Sequence, residues 1–150
     1  MDEAGTLEAF EAMDRIASAW RRRAGERLRP FGITLAQYEL IRHLRRRGGL
    51  WFSVAAAELD WDRPTISVVA GACLRAGWIK RHRLVKDRRT ARIELTGQGE
   101  ELLDRIEGVR PFAEASFGDP FDVIGAEERS MMRRLLDRVA RRAGDIWARG

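Results

Sequence analysis

Asp60-Trp61-Asp62 leaves about three residues between two short helical segments, and that tight connection limits the fold more than any other stretch. Upstream, Val54–Leu59 reads as a short helix with Ser53 placed to cap it. Downstream, Asp62 is placed to cap a second helix. Pro64 suits its first turn, where the missing amide would have no helical partner. That helix runs over Thr65–Ala76 and stops at Gly77. Two helices joined this closely are a helix-turn-helix.

The flanks extend this unit. Phe10, Met13, Ala17, Trp20, Ala24 and Leu28 recur every three or four residues, one stripe of an amphipathic helix over Leu7–Leu28, which Pro30 and Gly32 stop. Thr34-Leu35-Ala36-Gln37 fits a capping box, in which the Thr hydroxyl takes a helix amide and the Gln side chain reaches back. The helix that follows buries Tyr38, Leu40, Ile41 and Leu44 and ends at Gly48-Gly49, and Leu50-Trp51-Phe52 is a short extended piece. After Gly77 the period changes. Ile93 and Leu95 alternate with Arg92 and Glu94, as in a half-buried strand, so Trp78–Leu84 and Ala91–Leu95 form a ribbon with a charged tip. A helix starting at Thr96 uses Leu102, Leu103, Ile106 and Val109, and Pro111 kinks or ends it; Gly118-Asp119-Pro120 is a break; a last helix spans about Ala126–Ala148.

Charge is concentrated. The chain carries 28 basic and 23 acidic residues, a net of +5. From Arg75 to Arg92 eight bases face one acid, Asp87, so this stripe holds +7 and the rest of the chain −2. A stripe of this kind is an electrostatic footprint for a polyanion; the alternative is a solvated charged face. Its placement suits a duplex, because a helix fits the major groove and an arginine-bearing ribbon tip fits the minor groove beside it. The long end helices carry more apolar surface than a small winged core covers, and a two-fold dimer would bury the excess. No run of about 20 apolar residues is present to span a membrane. The acidic start, Met1-Asp2-Glu3-Ala4, lacks signal-peptide character, and the single cysteine, Cys73, excludes a disulfide scaffold; the expectation is a cytoplasmic protein.

The run Asp87-Arg88-Arg89-Thr90-Ala91-Arg92-Ile93-Glu94-Leu95-Thr96-Gly97-Gln98-Gly99 resembles the wing signature of MarR-type regulators, with its Asp-x-Arg tip and Leu-Thr-x-x-Gly. Gly32–Tyr38, the helix pair and Leu74–Ile79 fall in the same order as in that family, so the resemblance covers about residues 32–103. It implies a mainly α fold with a small β-hairpin wing, in one domain over 1–150. The winged helix-turn-helix lobe would span about 33–96, and the dimerisation helices about 5–30 and 97–148. It also implies a homodimeric transcription factor on a pseudo-palindromic operator, usually a repressor released by a small aromatic or phenolic ligand. Carried over by position, the DNA contacts are Arg63, Thr65 and Ser67 on the reading helix and Lys86, Arg88 and Arg89 on the wing, with Asp87 orienting an arginine. The reading helix departs from the pattern. Val68-Val69-Ala70-Gly71-Ala72-Cys73 is apolar or small where relatives commonly place arginine and aspartate. Specificity then rests on Arg63, the wing and groove shape, or the helix docks a protein instead.

The remaining polar and aromatic residues divide simply. Trp61 and Trp78 read as core packing, and Cys73 as a small buried hydrophobe. His43 and His82 lack neighbours at metal-ligand spacing. In relatives the first and second helices help line a ligand cavity; Trp20 and Tyr38 lie there, with Arg23 or Arg42 able to meet a carboxylate, although core packing suits both aromatics. Neither a Gly-x-Ser-x-Gly elbow nor a His-Glu-x-x-His pair is present, and Glu100-Glu101 is explained by the helix dipole. The reading calls for no enzyme chemistry and no cofactor.

Overall fold

The computed structural model describes residues 3–83, 91–113 and 117–147. Helix α1 spans Glu3–Leu28 and passes into a 3-10 turn, Arg29–Phe31, closed by Gly32 in the left-handed region. Helix α2, Leu35–Arg47, starts in the expected capping box: the Gln37 amide donates to Thr34 Oγ1 at 3.2 Å, and the Thr34 amide donates to Gln37 Oε1 at 3.0 Å. Strand β1 is Leu50–Trp51, helix α3 is Phe52–Glu58 and helix α4 is Arg63–Arg75. Strands β2, Ile79–Arg83, and β3, Ala91–Leu95, precede helix α5, Gly97–Val109; helix α6 is Ala126–Trp147.

Two local expectations change. Ser53 is not a cap, because α3 begins at Phe52 with Trp51 in the capping position and no side-chain cap. The extended piece Leu50-Trp51 is also more than a connection. It pairs Leu50 with Ile93 and Trp51 with Arg92, so the ribbon is one part of a three-stranded antiparallel sheet in the order β1-β3-β2. That pairing carries the chain straight into α3 and leaves Ser53 inside its first turn.

The chain divides into two compact units, 1–113 and 114–150. In the first, Leu28, Leu40, Ile41, Leu44, Ile66, Ile93, Leu103 and Ile106 are fully buried, so α1, α2, α4, α5 and the sheet share one core. Each such side chain contributes about 1.5–3 kcal/mol relative to exposure. Trp61 and Trp78 are partly buried against this core, and Cys73 is inside it. Burial pushes the Cys73 thiol up to about 12. The Leu-Thr-x-x-Gly motif ties the wing base to the end of α4. Thr96 caps α5 by accepting from the Gly99 amide at 3.2 Å, while its hydroxyl donates to the Gly77 carbonyl at 2.6 Å. Gly77 turns the chain at φ 77°, and a Cβ on Gly99 would strike the Trp78 carbonyl. On α1, Leu7, Phe10, Ile16 and Trp20 are exposed.

In the second unit, Arg129 donates to Asp119 and, at 2.9 Å, to the Phe121 carbonyl, pinning the segment that enters α6. Along α6, Leu135, Leu136, Val139 and Ile146 form an apolar stripe that is about half exposed. No helix among the described residues is long and apolar enough to cross a membrane.

Candidate nucleic-acid interface

Helix α4 is fixed at its start by Asp62, whose Oδ1 accepts from the Thr65 amide at 2.7 Å. Hydrogen bonds from the Thr65 hydroxyl and amide hold the Asp62 carboxyl below its ordinary value. The helix turns Ile66, Ala70 and Cys73 into the core. Arg63, Thr65, Ser67, Val68 and Arg75 are therefore exposed, which places all three expected reading residues on the outer side. Among the described residues, Arg63 and Ser67 have no ion pair or hydrogen-bond partner in the fold.

Arg63 and Ser67 line a groove of about 790 Å³ between α3, α4 and the base of the wing, together with Phe52, Trp61 and Arg81. In the sequence Arg81 counts only as one base of the stripe. Its guanidinium lies 5.9 Å from the centroid of the Phe52 ring, a cation–π contact that holds the charge at the groove wall. The signal was its phase. Arg81 stands opposite the buried Ile93, two residues from the buried Ile79 and so in the same register.

Lys80 and Arg92 of the basic stripe behave differently. Lys80 Nζ, His82 Nε2 and Arg92 Nε approach the Glu94 carboxylate at 3.5, 3.2 and 3.4 Å. Partial desolvation raises the Glu94 carboxyl, but His82 and Lys80 outweigh it and the net shift is downward. Two bases of the stripe, with His82, therefore converge on one acid. The expected wing residues Lys86, Asp87, Arg88 and Arg89 lie in 84–90, outside the described residues.

Solved structures share this architecture. A mutant MarR from E. coli complexed with operator DNA aligns with a TM-score of 0.79 at 18% identity, covering 93% of this chain and 99% of that one. BpsR of Bordetella bronchiseptica, described with regulation of DNA binding by 6-hydroxynicotinic acid, aligns at 0.78 and 20% identity, covering 89% and 98%. At these identities they establish the winged helix-turn-helix fold. The sequence itself matches the MarR family profile over residues 31–90, from the end of the 3-10 turn to the wing. It is also 28% identical over 112 residues to the HTH-type transcriptional regulator PecS of Dickeya dadantii (strain 3937), over 73% of this chain. Over these stretches the chain is similar to transcriptional regulators of the MarR family. It spans 66% of the length of PecS, just under two thirds.

Elsewhere in the first unit, ion pairs tie α2 to α5 and to α3. Arg45 reaches three carboxylates of α5, with Glu100 at 2.9 Å, Glu107 at 3.1 Å and Asp104 between them. The hydrogen bond to Asp104 is the main cause that raises the Arg45 guanidinium's proton affinity. Glu100 is thus more than a helix-dipole residue; it is one arm of this cluster. Glu58 accepts from Arg47 at 2.8 Å and lies 2.6 Å from His43 Nε2, and these contacts, Arg47 first, lower its carboxyl. Of the expected ligand residues, the fold brings two together: the Arg42 guanidinium lies 5.9 Å from the Tyr38 ring centroid. Tyr38 packs against Phe112 at 5.6 Å and borders a cavity of about 280 Å³ that Glu107 and Arg110 also line. Trp20 is exposed on α1, and Arg23, also on α1, lies 3.4 Å from Glu26. Among the described residues no cluster of three His, Cys, Asp or Glu side chains could hold a metal ion.

Proposed function

We propose that this protein is a cytoplasmic, homodimeric regulator that binds a pseudo-palindromic DNA operator and represses until a small aromatic ligand releases it. The observation that carries the reading is the outward side of α4, where Arg63 and Ser67 lack partners in the described fold and share a groove with Arg81. A helix inserted in the major groove needs such groups. Arg63 would donate to a guanine, Thr65 and Ser67 would serve bases or phosphates, and Arg81 would meet a phosphate at the groove edge. Lys86, Arg88 and Arg89 would enter the minor groove, with Asp87 orienting an arginine. The operator-bound MarR structure supports this use of the fold. Two half-exposed apolar stripes, on α1 and α6, supply surface for pairing with a second copy. Release by a ligand draws support from the BpsR structure and from the Tyr38, Arg42 and Phe112 cluster, with Trp20 and Arg23 on the neighbouring helix.

The test is selection of bound sites from a random duplex pool, followed by gel-shift titration across salt. A two-fold motif is expected, with affinity falling steeply as salt rises because several bases displace counterions. Arg63→Ala relaxes discrimination at one position, by about 1–3 kcal/mol for a bidentate contact, while Arg88→Ala and Arg89→Ala weaken all sequences alike. Failure to bind generic duplex at low salt would overturn the reading in favour of a protein-docking winged helix.

A further inference from the structure

The centre of the outward face of α4 is apolar. Val68 is 71% exposed, and among the described residues between 31 and 106 only Trp51 joins it as an exposed large hydrophobic. An exposed valine in the middle of a helix contributes nothing to the core, which Ile66, Ala70 and Cys73 already fill from the other side. Its neighbours on the helix surface leave it prominent. Pro64 and Thr65 stand one turn before, and Gly71 and Ala72 one turn after. A Cβ built on Gly71 would meet nothing but the far end of the Arg75 side chain, at 3.4 Å. The helix backbone can therefore come close to a surface with the Val68 methyl groups as its most protruding central atoms. Hydrogen-bonding groups lie only towards the ends, Arg63, Thr65 and Ser67 at one and Arg75 at the other.

We infer that Val68 is a specificity-determining residue which reads the C5-methyl group of a thymine in the major groove, an inference that rests on the DNA-binding reading above. The base edges in that groove present donors, acceptors and one apolar group, the thymine methyl. A protruding valine can satisfy none of the polar edges, and it desolvates them if pressed against them. Opposite a thymine methyl it buries apolar surface on both sides. Cytosine at that place offers an amino group to a side chain that cannot accept from it. Val68 thus both favours thymine and disfavours its pyrimidine alternative. Val68, with Gly71 and Ala72 one turn further on, becomes a contact surface, with polar readout confined to the residues that flank it.

The experiment uses the full-length protein and the duplex recovered from the random pool, with each thymine replaced in turn by deoxyuridine, which removes only the methyl. One position per half-site is expected to respond. Burying one methyl group corresponds to about a fourfold loss of affinity, or about fifteenfold with both half-sites substituted. Val68→Ala, at an exposed site that leaves the fold intact, should bind the thymine and deoxyuridine duplexes equally, whereas Arg63→Ala should keep the wild-type ratio. A consensus whose deoxyuridine forms all bind like the parent overturns the inference alone. So does a consensus without thymine under α4, or a methyl effect that persists in Val68→Ala. A pool that yields no consensus, with or without generic duplex binding, overturns the inference together with the operator reading.

Discussion

Helices α2 and α4 are built alike and finished differently. Each has 13 residues, each starts at a side-chain cap, Thr34 or Asp62, and each turns one apolar side into the same core. Their outer sides diverge. On α2, Arg45 is held by Glu100, Asp104 and Glu107, while His43 and Arg47 share Glu58. On α4, Arg63 and Ser67 have no such partner among the described residues, and Val68 stands out into solvent. The difference teaches that exposure by itself does not mark a functional face. Arg47 on α2 is exposed and yet committed to the protein's own Glu58, whereas Arg63 on α4 remains available to a partner.

The comparison can be broken first at the core. Ile41→Ala on α2 and Ile66→Ala on α4 remove equivalent fully buried side chains, and each should cost about 2–5 kcal/mol in urea denaturation. A loss at Ile66 well below that at Ile41 would mean that α4 is not docked as α2 is. The caps come next. Thr34→Ala should cost about 1 kcal/mol, because it leaves the Gln37 amide without its acceptor.

The smallest effect is a pH dependence, and it sharpens the contrast between a neutral and a charged cap. The Asp62 and Glu58 carboxyls lie below their ordinary values of 3.8 and 4.5 in the folded protein. Their stabilisation is complete above those values and disappears as pH falls through the lower folded ones. Melting temperature should therefore decline on acidification below about pH 4.5. Asp62→Asn, which keeps the capping oxygen without the charge, should flatten part of that decline, while Thr34→Asn on α2 should leave it unchanged.

How far these features could be read from the sequence depends on the range of the interaction. The caps at Thr34 and Asp62 were legible because their chemistry acts across three residues. The wing strands showed in the alternation of Ile93 and Leu95 with Arg92 and Glu94. Pairing of Leu50 with Ile93 did not show, since a strand of two residues has no periodicity and its partner is far along the chain. Arg45 and its three carboxylates escaped for the same reason, although Glu100, Asp104 and Glu107 recur at helical spacing. Arg81 was passed over as one more base in a charged stripe, while its neighbours Lys80 and His82 turn to Glu94. Charge counting sees the stripe and cannot sort its members by where the strand register points them.

The claim that α4, and not α2, carries the face that meets DNA is tested most directly by following backbone amide NMR signals while the selected duplex is added. The account predicts shifts clustered on residues 63–75, largest around Arg63, Ser67 and Val68, with residues 35–47 nearly still. Shifts centred on α2, with α4 unmoved, would contradict it.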